Sequence, residues 1–388
     1  MEVAQRIKGL ESAIFNEMEH YKKQVEARGV KVINLGVGSP DRPPAPHIIA
    51  ALHRAIDNPV NYRYPLEGLP ALHQALARWY RRRFGVELDP DHEVLVLMGS
   101  QDGLAHIALA YINPGDVALV PDPGYPIYAC SILLAGGEIY PMPLLAENNF
   151  LPDLSVIPGE VARKARLMWL NYPNNPVAVS ANREFFEQVV DFARHYDILV
   201  CHDVAYAELA YDGFKPMSFL EVPGAKEVGI EFYSLSKTYN MAGCRIGFAV
   251  GNRDVLAALA RIKSNIDYGV FRAVQEAGIA ALEGPQDCVE ETARTYQRRR
   301  DVLVDGLARY GWHMPKPNAS MFVWAPLPAG YTSSRQFALD LLERAGVLVI
   351  PGLAFGAMGE GYVRMALVQE EELLAEAVER IGRAFSFR

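Results

Sequence analysis

Between about residues 94 and 250 the chain alternates short apolar runs with helical patterns. Val94–Met98, Val117–Val120, Glu138–Pro141, Leu167–Leu170, Ile198–Cys201, Phe232–Leu235 and Ile246–Val250 read as buried strands. Ahead of Ile198, the residues Phe185, Phe186, Val189, Val190 and Ala193 recur at helical spacing. Helical crossovers make neighbouring strands parallel, and a parallel sheet must be covered on both faces. The pattern predicts an α/β three-layer sandwich with a mostly parallel seven-stranded sheet.

The texture changes near Leu282-Glu283-Gly284-Pro285. A long charged helix is expected over about Val289–Tyr310. Apolar runs follow at Met321–Trp324, Val347–Ile350 and Tyr362–Leu367, with a further helix ending near Leu341. This predicts a smaller α+β domain over residues 285–388, beside a large domain over 35–284. Residues 1–34 precede the sheet and are expected to pack with the small domain. The basic runs Arg81–Arg83 and Arg298–Arg300 fall in helical contexts with acids nearby and read as solvated faces.

Composition removes several classes of function. The net charge of −8 argues against a nucleic-acid surface. No run approaches the roughly 18 apolar residues of a membrane span, and the start Met1-Glu2-Val3-Ala4-Gln5-Arg6 has no apolar signal core. Cys130, Cys201, Cys244 and Cys288 form no C-x-x-C pair, and the histidines show no metal-ligand spacing. A cytoplasmic protein without structural metal is expected.

Sheets of this class bind ligands beyond the carboxyl ends of their strands, and that is where the reactive residues fall. Lys237 stands between Ser236 and Thr238 just after one strand, and Arg245 follows eight positions later. A lysine there can form an imine with an aldehyde, while hydroxyls and a guanidinium suit a doubly charged phosphate. One small molecule carrying both groups is pyridoxal phosphate (PLP). The string Ser234-Leu235-Ser236-Lys237 also matches S-x-x-K, but the S-D-N and K-T-G strings that accompany that signature are absent.

Other strand ends carry compatible groups. Gly99-Ser100-Gln101-Asp102-Gly103 opens a helix over Leu104–Tyr111, offering backbone N–H groups to a phosphate. Asn175, in the turn Asn171–Pro176, can donate to a phenolic oxygen. Asp203 can pair with a protonated ring nitrogen or cap a helix. Tyr125 can stack on an aromatic ring or sit in the core.

These residues, in this order, resemble the fold-type I PLP enzymes, and among them the class I/II aminotransferases. The similar runs include Asn34–Asp41, Tyr64-Pro65, Pro121–Pro126, Asn171–Pro176, Cys201-His202-Asp203, Ser234–Asn240 and Tyr362–Leu367, with the bacterial LL-diaminopimelate aminotransferase branch nearest. The resemblance implies that Lys237 holds PLP as an imine and shuttles the proton between substrate Cα and cofactor C4′. Asp203 keeps the pyridine nitrogen protonated, Asn175 and Tyr206 hydrogen-bond the phenolic oxygen, and Tyr125 stacks on the ring. Ser100, Gln101, Ser234, Ser236 and Arg245 hold the phosphate, joined by Tyr64 from the other subunit of a homodimer. Arg364 binds the substrate α-carboxylate, with Gly38 and Asn175 lining the same pocket. The activity implied is ping-pong transamination of an L-amino acid, LL-diaminopimelate with 2-oxoglutarate being the nearest case, in lysine biosynthesis.

The chain departs from the family pattern at Val177-Ala178, Gln101-Asp102, Cys244 and Tyr268. Alanine, aspartate or aminoadipate as substrate, β-elimination at a C–S bond, and a non-catalytic sensing role are the other readings. A second anchor for a distal anionic group is sought among Arg42, Arg63, Lys263 and Arg272.

Overall fold

The computed structural model describes residues 2–7, 10 and 13–387, so the N-terminal segment is described except at residues 1, 8, 9, 11 and 12. Seven strands build the main sheet: β2 (Val94–Leu97), β3 (Val117–Asp122), β4 (Glu138–Pro143), β5 (Ala165–Asn171), β6 (Leu199–Asp203), β7 (Gly229–Ser234) and β8 (Gly247–Gly251). Their order is β2-β8-β7-β6-β5-β3-β4. β8 runs antiparallel to both its neighbours, and the other four pairings are parallel.

Alternating side chains send two apolar sets to opposite faces. Leu119, Met168, Leu170, Val200 and Phe248 enter one core. Ala118, Val120, Leu167, Trp169, Cys201 and Phe232 enter the other. The first is covered by helices that include Pro70–Phe84 and Arg183–Tyr196, the second by helices that include Ser100–Tyr111 and Arg253–Lys263. The sandwich is therefore three-layered, with a mixed, mostly parallel central sheet.

A third core joins Met18, Val25 and Ile33 to Leu303, Leu307, Phe337, Leu341 and Ile381. Here β1 (Ile33–Asn34) pairs in parallel with β10 (Val347–Leu348), and β11 (Ile350–Pro351), β12 (Tyr362–Ala366) and β9 (Phe322–Pro326) form an antiparallel sheet. The run expected as one strand, Val347–Ile350, is thus divided between two sheets. Val349 lies between its two parts, and its neighbours bond to different partners.

The basic runs need correction. Arg81 and Arg82 are exposed, but Arg299 and Arg300, within the helix Asp287–Arg309, are fully buried. Arg299 donates to both carboxylate oxygens of Asp41, at 2.8 and 2.7 Å, and Arg300 reaches Asp212 at 2.6 Å. Bidentate pairing makes a buried guanidinium tolerable. The partners lie 258 and 88 residues away, so acids nearby in sequence gave no sign of them.

Candidate active site

The carboxyl ends of β5, β6 and β7 stand side by side, with Asn171 in register with Asp203 and Asp203 with Phe232. Beyond them opens a cavity of about 760 Å³. Of the residues singled out in the sequence, Gly38, Ser100, Gln101, Tyr125, Asn175, Asp203, Tyr206, Ser234, Ser236, Lys237, Arg245 and Arg364 all line it. Tyr64 does not: it is 73% exposed and packs its ring on Tyr268 at 5.0 Å.

Lys237 lies on the single helical turn Leu235–Thr238 that follows β7, not on the strand end itself. Ser234 caps that turn by accepting from the Ser236 N–H at 3.2 Å. The Lys237 ammonium donates to the Gly38 carbonyl at 2.7 Å. Burial, and then the nearby Arg364 and Arg245 cations, push its pKa down to about 8, against the pull of Asp203. Such an amine gives up its proton far more readily than a solvated lysine.

Asp203 ends β6. Burial raises its pKa to about 6, opposed first by the hydrogen bond from Tyr128. The Tyr128 hydroxyl donates to Oδ2 at 2.8 Å, and its ring stacks on Trp169 at 5.0 Å. Oδ1 is buried without a hydrogen-bond partner.

Arg364 projects from β12 into the same space. Its guanidinium donates to Asn175 Oδ1 at 2.9 Å and to the Gly36 carbonyl at 2.7 Å. The rings of Phe322 and Phe355 lie at 4.2 and 4.7 Å from its central carbon. Burial lowers its pKa to about 10, which still leaves it cationic near neutrality.

At the cavity's other end, the turn Gly99–Asp102 opens the helix Ser100–Tyr111. A side chain at Gly99 would place its Cβ 2.6 Å from Arg245, and its φ of 75° also suits glycine. Arg245 is itself held at φ 51° and bonds the Ala242 carbonyl at 3.0 Å. The Tyr125 hydroxyl donates to Gln101 at 2.9 Å.

Among the described residues three buried polar atoms of this cavity lack hydrogen-bond partners: Asp203 Oδ1, Ser236 Oγ and Arg364 Nε. Buried polar groups are almost always satisfied. An acidic oxygen, a hydroxyl and a guanidinium N–H are the complements of a pyridinium, a phosphate and a carboxylate. The donor set fits PLP and an amino-acid substrate.

Residues 30–381 match the model for "Aminotransferase class I and II". The chain belongs to the class I and II aminotransferases. It is a PLP-dependent enzyme that catalyses transamination of small molecules. The LL-diaminopimelate aminotransferase of Syntrophobacter fumaroxidans is 56% identical over 385 residues, covering 99% of each chain. That of Moorella thermoacetica is 55% identical over 384 residues, covering 99% of this chain and 98% of its own. Among solved structures, substrate-bound BacF from Bacillus subtilis superposes with a TM-score of 0.94 at 41% identity, covering 99% of this chain and 98% of that one. A probable N-succinyldiaminopimelate aminotransferase from Thermus thermophilus gives 0.90 at 40%, covering 96% and 100%.

None of the four cations considered as a distal anchor lines the cavity. Lys263 is buried between Asp102, at 2.6 Å, and Asp267, at 2.7 Å. Arg42 bonds Thr295 at 2.9 Å, and Arg63 is exposed. Sequence reasoning also missed lining residues. Phe322 and Phe355 flank Arg364, Tyr128 holds Asp203, and Glu19 comes from the helix Ala13–Ala27. Tyr128, in the first turn of the helix Ile127–Ala135, meets the ring of Tyr125 edge-on at 5.8 Å. Glu19 had no sequence signal, because nothing local to it predicts that its helix borders a cavity lined mostly by residues far along the chain.

Proposed function

We propose that the enzyme transaminates LL-diaminopimelate with 2-oxoglutarate. The observation that carries the catalytic part is the convergence of Lys237, Asp203 and Arg364 on one cavity. The substrate part rests on the two relatives above, both LL-diaminopimelate aminotransferases, and on Glu19, a carboxylate among the lining residues that suits a distal ammonium.

Bound PLP would supply an aldehyde for the amino group and a ring that withdraws electrons from the substrate Cα. Asp203, whose Oδ1 is buried without a partner, would hold a proton on the ring nitrogen and so support that withdrawal. Ser236, the N–H groups of Ser100 and Gln101, and Arg245 bind the phosphate, with Ser234 supporting Ser236. Tyr125 would stack on the ring, and Asn175 and Tyr206 would hydrogen-bond its phenolic oxygen. Arg364 would bind the α-carboxylate and so set the orientation of the substrate Cα. The Lys237 amine, with its pKa near 8, would carry the proton from the substrate Cα to the carbon that the cofactor's aldehyde supplies.

The active unit in this reading is a cytoplasmic homodimer. Tyr62, Tyr64, Leu66 and Tyr268 are exposed large apolar residues, and Tyr64 from one subunit would reach the phosphate bound by the other. Residues 285–388, with the N-terminal 34, act as the smaller domain, supported by the shared core of Met18 and Val25 with Leu303 and Phe337.

The test mixes holoenzyme with a panel of L-amino acids, including LL- and meso-diaminopimelate, and follows cofactor absorbance. Conversion to the pyridoxamine form by LL-diaminopimelate, reversed by 2-oxoglutarate, is expected. Conversion by another donor alone would refute the substrate. No conversion by any donor would refute the mechanism.

A further inference from the structure

His202 and Glu231 face each other in register on β6 and β7, both fully buried. They lie on the side of the sheet opposite Asp203, among Phe186 and Phe219, whose rings are 5.2 and 6.4 Å from the imidazole. The Tyr172 backbone N–H donates to His202 Nε2 at 3.2 Å. That nitrogen therefore carries no proton, and Nδ1–H donates to Glu231 at 2.8 Å. Glu231 also accepts from the Phe219 N–H at 2.7 Å, the Ser218 hydroxyl at 2.6 Å and the Tyr80 hydroxyl at 3.0 Å. Four donors around one carboxylate satisfy its buried oxygens.

Well-packed apolar side chains would fill this space without the cost of burying a charge. What the pair provides is a fixed direction. Its imidazole holds the backbone of Tyr172, the first residue after β5. It also precedes Asp203 in the chain. Asn171 closes the loop: its Nδ2 donates to the Asp203 carbonyl at 2.7 Å, and its Oδ1 accepts from the Asn175 N–H at 2.7 Å. Two cavity groups, Asp203 and Asn175, thus depend on one hydrogen-bonded frame anchored across the sheet.

We propose that His202 and Glu231 are a positioning pair for the active site, setting the orientation of Asp203 and Asn175 from the far face of the sheet. The proposal rests on the reading of Asp203 as the partner of the cofactor's ring nitrogen.

The test compares His202→Phe, which keeps a ring but removes both ring nitrogens, with His202→Gln, whose amide retains an acceptor for Tyr172 and a donor for Glu231. PLP affinity by titration, KM and kcat for the amino donor, and thermal melting are measured on each. His202→Phe is expected to weaken PLP binding and raise KM by about tenfold each, as lost outer-shell partners do, and His202→Gln to recover most of both. A His202→Phe enzyme that melts lower but keeps wild-type PLP affinity and KM would reduce the pair to core packing and overturn the proposal. If that variant does not fold, Glu231→Gln substitutes, with the same losses expected and the same overturning result. Asp203→Asn is the control. Should it leave PLP binding and turnover intact, the reading of Asp203 fails, whatever the pair does.

Discussion

Arg364 and Asn175 meet across 189 residues of sequence: the guanidinium donates to the amide oxygen at 2.9 Å. One comes from a three-stranded sheet late in the chain, the other from the turn after β5 in the main sheet. Both line the same cavity.

Arg364→Lys tests the fork. A lysine cannot span a carboxylate and also reach Asn175 and Gly36 with planar N–H groups. A loss of about 2–4 kcal/mol in transition-state binding is expected, a fall in kcat/KM of roughly 30- to 1000-fold, mostly as raised KM. Steady-state kinetics at saturating PLP read it. A change below threefold would mean the carboxylate binds elsewhere.

Asp203 makes a pH prediction. Its carboxyl titrates near 6 when folded, above the roughly 3.9 of an unfolded aspartate. Between those values the folded apo protein binds more protons than the unfolded chain, so this group's contribution to stability falls as pH rises. Asp203→Asn abolishes the contribution. The variant should gain on the wild type from pH 4 to 6.5 in urea unfolding, while its kcat falls by about 10²- to 10³-fold. A stability difference independent of pH would contradict the raised pKa.

Gly99→Ala would press a methyl group against Arg245 and strain a backbone region that side chains avoid, at about 1–3 kcal/mol. PLP affinity should drop by around tenfold, with little change in KM for the amino donor at saturating cofactor. Fluorescence titration of the apo protein decides it, and unchanged affinity would remove Arg245 from the phosphate site.

Glu19 is partly exposed and already pairs with Lys22 at 3.1 Å, so its effect on substrate binding is expected to be modest, about 0.5–1 kcal/mol. Glu19→Gln should raise KM for LL-diaminopimelate by roughly two- to fivefold and leave L-glutamate nearly unaffected. Equal changes for both donors would deny it a part in selectivity.

Much of this site was legible because α/β sheets place their chemistry locally. A lysine, an aspartate and an asparagine each follow a recognisable apolar strand, and parallel pairing brings strand ends to one edge. Residues whose partners come from distant elements were not legible. Lys263 was a candidate anchor by position, yet it lies between Asp102, 161 residues away, and Asp267.

By itself the sequence determined the alternation of strands and helices, the two-faced burial of the sheet and the set of reactive groups at its edge, since periodicity and strand-end position are properties of short segments. Only the tertiary structure decided that Arg299 and Arg300 are buried and that Phe322 and Phe355 enclose Arg364. It alone paired His202 with Glu231 on the far face of the sheet from Asp203. Burial and charge compensation depend on which remote segments fold against a residue, and no local pattern encodes that.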